Sequence, residues 1–375
     1  MRKLQMVDLS SQYARIQDAV NAGLQEVIQS TQFINGTATK QFTAALAQYQ
    51  GLQHVIPCAN GTDALQIALM ALDLQEGDEV ITVPFTFVAT VEVVALLKGK
   101  PVFVDVDPKT FNIDVAALRE AITPRTKAII PVHLFGQSAD MAPIIEVANE
   151  YGITVIEDNA QAIGGTYTFP DGTVKKTGTI GQMATTSFYP TKNLGGYGDG
   201  GAIFTTDDAL AQKIRIICDH GSSRKYYYDA IGVNSRLDSM QAAILHVKLQ
   251  HLDTYNEQRR AAADQYDQLL KDIPGITIPY RAPNAQHVFH QYTIRVEAKR
   301  DALKDHLQTL GIPSMIYYPV PLHLSDAYKI YGYQEGNFPM SELVAREVLS
   351  LPMHTELDGE QIQFVCDAIR GFMQA

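Results

Sequence analysis

The sequence predicts an α/β protein with a large domain, built on a mostly parallel mixed sheet between helices, and a smaller C-terminal α+β domain. Two observations support this prediction. Short apolar runs alternate with helical patterns up to about residue 237, as in proteins built from βαβ units. The alternation then stops, and residues 238–273 form a helical pattern that contains neither Gly nor Pro.

Six apolar runs are predicted to be strands of the large sheet: DEVITVPF (78–85), KPVFVDVDP (100–108), KAIIPVHLFG (127–136), ITVIEDNAQ (153–161), QMATTSFYPTK (182–192) and GGAIFTTDD (200–208). Segments with helical periodicity, such as TFVATVEVVALLKG and ADMAPIIEVANEYG, lie between them. Ligands of parallel sheets bind beyond the carboxyl ends of the strands. We therefore expect the functional side chains at that edge.

The change of pattern places the large domain at residues 1–250 and the small domain at residues 251–375. The helical stretch at 238–273 is expected to connect them. In the small domain, QYTIRVE (291–297) predicts a strand, residues 299–310 a helix, and the last helix is expected to begin near residue 358.

The composition is that of an ordinary globular protein, with 46% hydrophobic and 19% charged residues. The net charge of −11 argues against a nucleic-acid partner, because duplex binding needs a dense basic surface. No apolar run reaches the roughly 18 residues of a membrane span, and MRKLQMVDLSSQYARIQ turns polar too early for a signal peptide. The scattered Cys58, Cys218 and Cys366 predict buried free thiols, no metal site and a cytoplasmic location.

The segment PCANGTDALQIALMAL (57–72) predicts a helix that begins at a Gly-Thr pair. Free N–H groups in the first turn of a helix bind anions, and the Thr62 hydroxyl adds a donor. Gly61 and Thr62 are therefore candidates for holding a phosphate. An ordinary cap by Asn60 or Thr62 would give the same pattern, so this segment decides nothing alone.

Two further segments follow predicted strands of the sheet: VIEDNAQAIGG (155–165) and TTSFYPTKNLGGYGDGG (185–201). Asp158 comes at the carboxyl end of its strand, where a carboxylate needs a cationic partner. The other segment brings Ser187 and Lys192 to the same edge, and its glycines let backbone segments approach closely. A desolvated lysine amine forms imines with carbonyl compounds. For Asp158 alone, a helix cap or a salt bridge is the alternative. For Lys192 alone, a solvated loop charge or a phosphate contact is the alternative.

The segment FTFVAT (85–90) offers an aromatic side chain that could cover a planar ring, although core packing is the simpler interpretation for either Phe. Together, the four segments provide an imine-forming amine, a carboxylate for a cationic ring nitrogen, a phosphate-binding helix start and an aromatic face. That combination predicts pyridoxal 5′-phosphate (PLP) as the cofactor. No Walker loop or G-x-S-x-G pattern is present to suggest another chemistry.

The sequence resembles the DegT-type PLP-dependent sugar aminotransferases, which share the aspartate aminotransferase fold (fold type I). The resemblance extends from VDLSSQY to SLPMH, over nearly the whole chain. Its most specific motifs are ANGTDAL, PFTFVAT, IEDNAQAIG, SFYPTKNLGGYGDGG and GVNSRLDSMQAAIL. Within this family, the chain is most similar to the nucleotide-sugar C3-aminotransferases.

The resemblance implies a role for each matching residue. Lys192 would bond to the cofactor aldehyde and later move the proton at the substrate carbon, and Asp158 would keep the pyridine nitrogen protonated. The other implied cofactor contacts are Gly61, Thr62 and Ser187 at the phosphate, Gln161 near the phenolic oxygen, Phe87 rather than Phe85 on the ring, and Asn234 at the phosphate of the neighbouring subunit. Because one residue crosses between subunits, a homodimer is expected.

The implied reaction moves an amino group from L-glutamate to a keto sugar for cell-surface polysaccharide or lipopolysaccharide synthesis. HGSSRKYYY, GVNSRLDSMQAAIL and YYPVPLH are similar to enzymes that aminate C3 of a nucleotide-linked 3-keto hexose. Arg236 is expected near a substrate anion, and Tyr317, Tyr318 and His323 near the sugar, although packing roles are equally open for those three. Relatives often have His-Tyr-Pro where this chain has Tyr-Tyr-Pro, which keeps a non-nucleotide sugar acid, such as an 8-oxo octulosonate, as an alternative.

Two other functions compete with amino transfer. Sugar dehydratases of this family carry histidine in place of the lysine, so Lys192 favours a transaminase. A PLP-fold regulator would be expected to lack Lys192 or to carry an added nucleic-acid-binding module. The sequence shows neither feature.

Overall fold

The computed structural model describes residues 2–374, which contain twelve α-helices. Their bounds are α1 Leu9–Ser30, α2 Thr37–Gln50, α3 Gly61–Ala71, α4 Ala89–Leu96, α5 Val115–Ala121, α6 Met141–Tyr151, α7 Asp208–Cys218, α8 Ser239–Leu249, α9 Leu252–Leu270, α10 Arg300–Thr309, α11 Pro339–Glu347 and α12 Gly359–Gln374. Short 3₁₀ turns occur at Leu134–Gly136, Leu322–Leu324 and Asp326–Tyr331.

The same residues form fifteen strands. Their bounds are β1 His54–Cys58, β2 Glu79–Thr82, β3 Lys100–Phe103, β4 Thr126–Ile129, β5 Thr154–Asp158, β6 Thr166–Thr168, β7 Val174–Lys176, β8 Met183–Ser187, β9 Gly201–Thr205, β10 Ser222–Arg224, β11 Tyr227–Tyr228, β12 Ile276–Thr277, β13 Ala285–Gln286, β14 Tyr292–Val296 and β15 Val348–Leu351.

A seven-stranded sheet in the order β1-β9-β8-β5-β4-β2-β3 forms the centre of the large domain. Five neighbouring strands of this sheet, β3, β2, β4, β5 and β8, pair in parallel, whereas β9 runs antiparallel to both β8 and β1. All six predicted strands form, and the sheet is mostly parallel and mixed, as predicted. The sequence analysis did not predict β1, which contains Pro57. A proline is tolerated there because β1 is an edge strand.

Helices cover both faces of this sheet. Successive strand residues point to opposite faces, and the core clusters show this directly: Val155 packs with α5 and α6, whereas Ile156 packs with α3, α4 and α7. Both residues are fully buried. Because its strands are buried on both faces, the sheet presents polar side chains to solvent mainly at its strand ends, where ligands bind in this class of fold. The predicted α/β fold is confirmed.

The helical stretch at 238–273 is two helices rather than the single helix expected. Helix α8 ends at Leu249 and α9 begins at Leu252, and the N–H groups of Gln250 and His251 bond back to α8 carbonyls in the intervening turn. Helix α8 packs on α1 and α2, while α9 packs on α12. Different packing partners therefore separate two helices that the residue pattern does not distinguish.

The C-terminal part forms a three-stranded antiparallel sheet, β12-β14-β15, with helices α9, α10 and α12 around its core. The strand and the two helices predicted here are present. Leu4, from the N-terminal segment, packs into this same core. No helix within residues 2–374 is both long and apolar enough to cross a membrane. All three cysteines are buried free thiols, as predicted.

Candidate active site

The carboxyl ends of two neighbouring parallel strands bring the main candidate residues to one edge of the sheet. Asp158 ends β5 and pairs in register with Thr185 of β8, and Ser187 ends β8 two residues later. Lys192 follows in the loop after β8. The structure therefore brings Asp158, Ser187 and Lys192 to the same edge, as the strand pattern predicts.

The Asp158 carboxylate is buried, and each of its oxygens accepts one hydrogen bond. Thr90 Oγ1 donates to Oδ2 at 2.8 Å, and the Ala160 N–H donates to Oδ1 at 3.1 Å. Neither donor is a cation, and no ion pair to Asp158 occurs among the described residues. A buried carboxylate without a cationic partner is costly unless a ligand completes the site. This environment suits a carboxylate that bonds to a protonated ring nitrogen.

The N-terminus of α3 forms an anion cradle beside Ser187. Asn60 caps the helix: its side-chain oxygen accepts a hydrogen bond from the Asp63 N–H at 2.8 Å, and its carbonyl accepts one from the Ala64 N–H at 3.1 Å. Within residues 2–374, the N–H groups of Gly61 and Thr62 donate no hydrogen bond. These free groups point to an anion, because the helix dipole favours negative charge at this end.

Gly61 is required where α3 meets β8. A Cβ atom at this position would lie 2.7 Å from Ser187 Cβ and 3.2 Å from Ser187 Oγ. We expect Gly61→Ala to weaken binding of a phosphate-bearing cofactor by about tenfold or more, because the methyl group displaces Ser187 from the cradle. Equilibrium dialysis measures the Kd.

The matched control for this variant is Gly371→Ala in α12. A Cβ at Gly371 would meet no atom within 4 Å, so we expect the control to bind the cofactor like the wild-type protein. Equal affinities for the two variants would show that Gly61 does not shape a phosphate site.

The loop that carries Lys192 is fixed by hydrogen bonds on both sides. The Lys192 N–H donates to the Tyr189 carbonyl at 2.9 Å, and the Gly196 N–H donates to the Phe188 carbonyl at 2.8 Å. The next side chain, Asn193, is buried and donates to Asn256 Oδ1 at 2.7 Å and to the Val288 carbonyl at 3.0 Å. The lysine is therefore held by an ordered turn, unlike a solvated loop charge.

Burial lowers the pKa of the Lys192 ammonium from 10.5 to about 8, although the Asp158 carboxylate acts in the opposite direction. A lowered pKa means that more of the amine is neutral at a given pH. At pH 7 about one lysine in ten is then neutral, against roughly one in three thousand for an ordinary lysine. Only the neutral amine attacks a carbonyl carbon, so the site favours imine formation.

We therefore expect the rate of covalent PLP capture to rise with pH through about 8 and to level off above it. The measurement mixes cofactor-free protein with PLP in a stopped-flow instrument and follows absorbance from about pH 6 to pH 11. Free PLP with a simple amine is the reference reaction. A midpoint near 10.5, the ordinary lysine value, would show that the site does not lower the pKa of Lys192.

The two aromatic residues of FTFVAT have different surroundings. Phe85 is fully buried and packs against Phe111 and Phe135, whereas Phe87 is 53% exposed. Of the two, only Phe87 therefore has a free face for a planar ring, and its role as the ring contact stays a prediction. Near it, Tyr318 lies with its ring centroid 6.3 Å from that of Phe87.

The structure places the predicted cofactor residue Gln161 beside Tyr318, whereas Arg236 lies elsewhere. Arg236 lines a cavity of about 630 Å³ with residues of α2 and β1. None of the predicted cofactor residues lines that cavity. Asn234 is exposed on the same loop, and Tyr317 is half-buried next to Tyr318. The substrate contacts of Arg236 and Tyr317 stay predictions.

His323 lies in a buried cluster, in agreement with the packing alternative. It is 0% exposed, its Nε2 lies 3.1 Å from Glu342 Oε1, and its ring packs edge-on against Phe103 and Phe338. Burial lowers its pKa, although Glu342 acts in the opposite direction. In this position His323 has no surface with which to touch a sugar.

Two residues that position the site were missed by the sequence analysis. Thr90, which holds Asp158, lies within the PFTFVAT motif, but helix periodicity gives no reason to pair it with a carboxylate 68 positions away. Asn193 follows the candidate lysine directly, and its role depends on α9. A buried Asn next to a functional residue is a usable signal, because buried amides need partners.

Comparisons with known proteins show the family to which this chain belongs. Residues 14–370 match the sequence pattern of the DegT/DnrJ/EryC1/StrS aminotransferase family. A protein from Geobacillus stearothermophilus, named "Pleiotropic regulatory protein", is 51% identical over 98% of both chains. A UDP-2-acetamido-2-deoxy-3-oxo-D-glucuronate aminotransferase from Pseudomonas aeruginosa is 46% identical over 98% of this chain and 99% of its own.

A solved structure resembles the whole chain. It is DesV of S. venezuelae in complex with a ketimine intermediate, with a TM-score of 0.96, 39% identity and complete coverage of both chains. The fold and the family inferred from the motifs are therefore confirmed. The protein is a member of the DegT/DnrJ/EryC1/StrS aminotransferase family.

Proposed function

We propose that this protein is a PLP-dependent aminotransferase that moves an amino group from L-glutamate to C3 of a nucleotide-linked 3-keto hexose. One observation carries the proposal: at one sheet edge, a lysine with a burial-lowered pKa stands near a buried carboxylate that makes no ion pair with any of the described residues. An amine and a carboxylate so placed match the aldehyde and the ring nitrogen of PLP.

The remaining residues of the edge fit the same cofactor. The free N–H groups of Gly61 and Thr62, with Ser187 beside them, suit the phosphate. The exposed ring of Phe87 suits the pyridine face. When bound, PLP supplies an aldehyde that bonds to amines and a ring that takes up the electrons of a broken C–H bond.

The chain's own residues then have distinct tasks. Lys192 would hold the cofactor through its aldehyde and, as a general base and acid, would move a proton at the substrate carbon. Asp158, whose orientation is fixed by its two hydrogen bonds, would hold the proton on the ring nitrogen. Gln161, whose amide oxygen accepts from the Phe135 N–H at 2.7 Å, would present an amide hydrogen to the phenolic oxygen.

A second subunit is proposed to complete the site. Phe87 and Tyr189, both next to site residues, are 53% and 54% exposed. Asn234 is also exposed, although its neighbour Ser235 bonds to the Ala59 N–H and to Asp63 of the same chain. In a homodimer, Asn234 would extend from this position to the phosphate held by the partner, and the exposed rings would be covered.

The sugar assignment rests on the relatives. The Pseudomonas aeruginosa enzyme is named for a UDP-linked 3-oxo sugar acid, and enzymes named for dTDP-linked 3-amino sugars are about 40% identical to this chain. The name of the Geobacillus stearothermophilus protein suggests regulation instead. Here a lysine with a lowered pKa and an oriented Asp158 favour catalysis.

The experiment has two steps. L-Glutamate should bleach the absorbance of the bound PLP, and a nucleotide-linked 3-keto hexose should then restore it. Restoration by non-nucleotide keto sugar acids alone would transfer the assignment to that class. Absence of bleaching by any amino acid would contradict the aminotransferase assignment and favour a regulator.

A further inference from the structure

The orientation of the Gln161 amide is fixed by a backbone group. The Phe135 N–H can only donate, and it points at Gln161 Oε1 at 2.7 Å. Phe135 is buried and adopts a φ of 57°, a strained conformation for a residue with a side chain. This strained turn aims the N–H, so the amide oxygen and nitrogen of Gln161 cannot be exchanged without losing a buried hydrogen bond.

The fixed amide determines the direction of the next hydrogen bond. Gln161 Nε2 lies 3.2 Å from the Tyr318 hydroxyl oxygen. An amide NH₂ group only donates, so the Tyr318 oxygen is the acceptor. Within residues 2–374, no acceptor takes the hydroxyl hydrogen of Tyr318. That hydrogen and the second Nε2 hydrogen of Gln161 are therefore two free donors on neighbouring atoms.

Tyr318 stands on the cofactor side of the site. Its ring packs edge-on against Phe85, with centroids 6.0 Å apart, and is tilted against the exposed Phe87. Burial and the nearby Asp158 carboxylate raise the pKa of its phenol above the usual value. The hydroxyl therefore keeps its hydrogen over the working pH range and can only offer it to an acceptor.

We infer that Tyr318 is a cofactor-binding residue: its hydroxyl and the Gln161 amide together donate hydrogen bonds to the phenolic oxygen of PLP. This inference rests on the proposed function. It gives Tyr318 a role different from the sugar contact that the sequence analysis expected. It also gives the strained turn at Phe135 a function, since that turn orients both donors.

The test is the pH titration of the absorbance of bound PLP, without substrate, in Tyr318→Phe. Once the nitrogen that would join Lys192 to PLP has lost its proton, it no longer helps to stabilise the negative charge on the phenolic oxygen. Hydrogen bonds donated by the protein then contribute more to stabilising that charge. Removing the Tyr318 donor should raise the titration midpoint by about one unit, as expected for one hydrogen bond to a charged group. The matched control is Tyr317→Phe, which removes a neighbouring hydroxyl that bonds to Gln291 instead and should leave the midpoint unchanged.

A second variant keeps the ring and the hydroxyl. With 3-fluorotyrosine at position 318, the phenol becomes a stronger donor, so the midpoint should fall. Unchanged midpoints in both variants, with a raised KM for the keto sugar, would overturn the inference and would indicate that Tyr318 contacts the substrate instead. That outcome leaves the proposed function standing, because the proposed function is tested by the reaction of wild-type protein with an amino donor and with nucleotide-linked keto sugars, not by the titration midpoint.

Discussion

Lys192→Ala should slow amino transfer roughly a thousandfold, the middle of the range for loss of a positioned acid–base group. Two losses combine in this variant. The protein can no longer form a covalent bond to the cofactor. In addition, no other described lysine is placed to move the proton at the substrate carbon. Asp158, which lies near Lys192, cannot replace it, because a carboxylate does not form an imine.

The rate to measure for Lys192→Ala is the single-turnover bleaching of bound PLP by L-glutamate. Lys127→Ala, an exposed lysine of β4, is the matched control and should react at the wild-type rate. Circular dichroism checks that both variants are folded. Wild-type turnover by Lys192→Ala would refute the assignment of Lys192 as the catalytic base.

Asp158→Asn is expected to have the second largest effect, a loss of roughly a hundredfold in kcat, comparable to the loss of one charge-assisted hydrogen bond. The substitution keeps the shape of the side chain but removes its charge, so the ring nitrogen of PLP is no longer held protonated. A neutral ring takes up electrons poorly, and the step that breaks the substrate C–H bond slows.

A cofactor analogue separates this electronic effect from misfolding. PLP methylated at the ring nitrogen carries a fixed positive charge, so it should restore part of the lost rate in Asp158→Asn. Asp305→Asn, an exposed residue of α10, is the control and should behave like the wild-type protein. Failure of the analogue to rescue, together with a normal cofactor Kd, would mean that Asp158 does not act on the ring nitrogen.

Periodicity predicts the elements of this fold that depend on local pattern. The strands β2, β3, β4, β5, β8 and β9 follow from apolar runs, because burial on both faces removes polar residues from them. Two features do not follow. Edge strand β1 contains Pro57, and the break between α8 and α9 depends on which helices pack against each of them.

The same limit applies to the candidate active site: contacts between distant parts of the chain do not follow from local pattern. Asp158 and Lys192 can be inferred because strand ends of a parallel sheet meet at one edge. Thr90 and Phe135 cannot, because their roles arise from contacts with Asp158 and Gln161 across 68 and 26 positions of the chain. His323 follows a Pro-rich segment near the site, yet its side chain packs within a cluster of aromatic residues.

The most direct test of the central claim is to locate the covalent bond between protein and cofactor. Purified wild-type protein is treated with borohydride, which reduces an imine to a stable amine, and its peptides are analysed by mass spectrometry. We expect the mass of reduced PLP on the peptide that contains Lys192. Burial also lowers the pKa of Lys248 to about 8, which makes Lys248 an internal comparison. Cofactor on Lys248 or elsewhere, with Lys192 unmodified, would contradict the assignment of Lys192 as the residue that binds PLP.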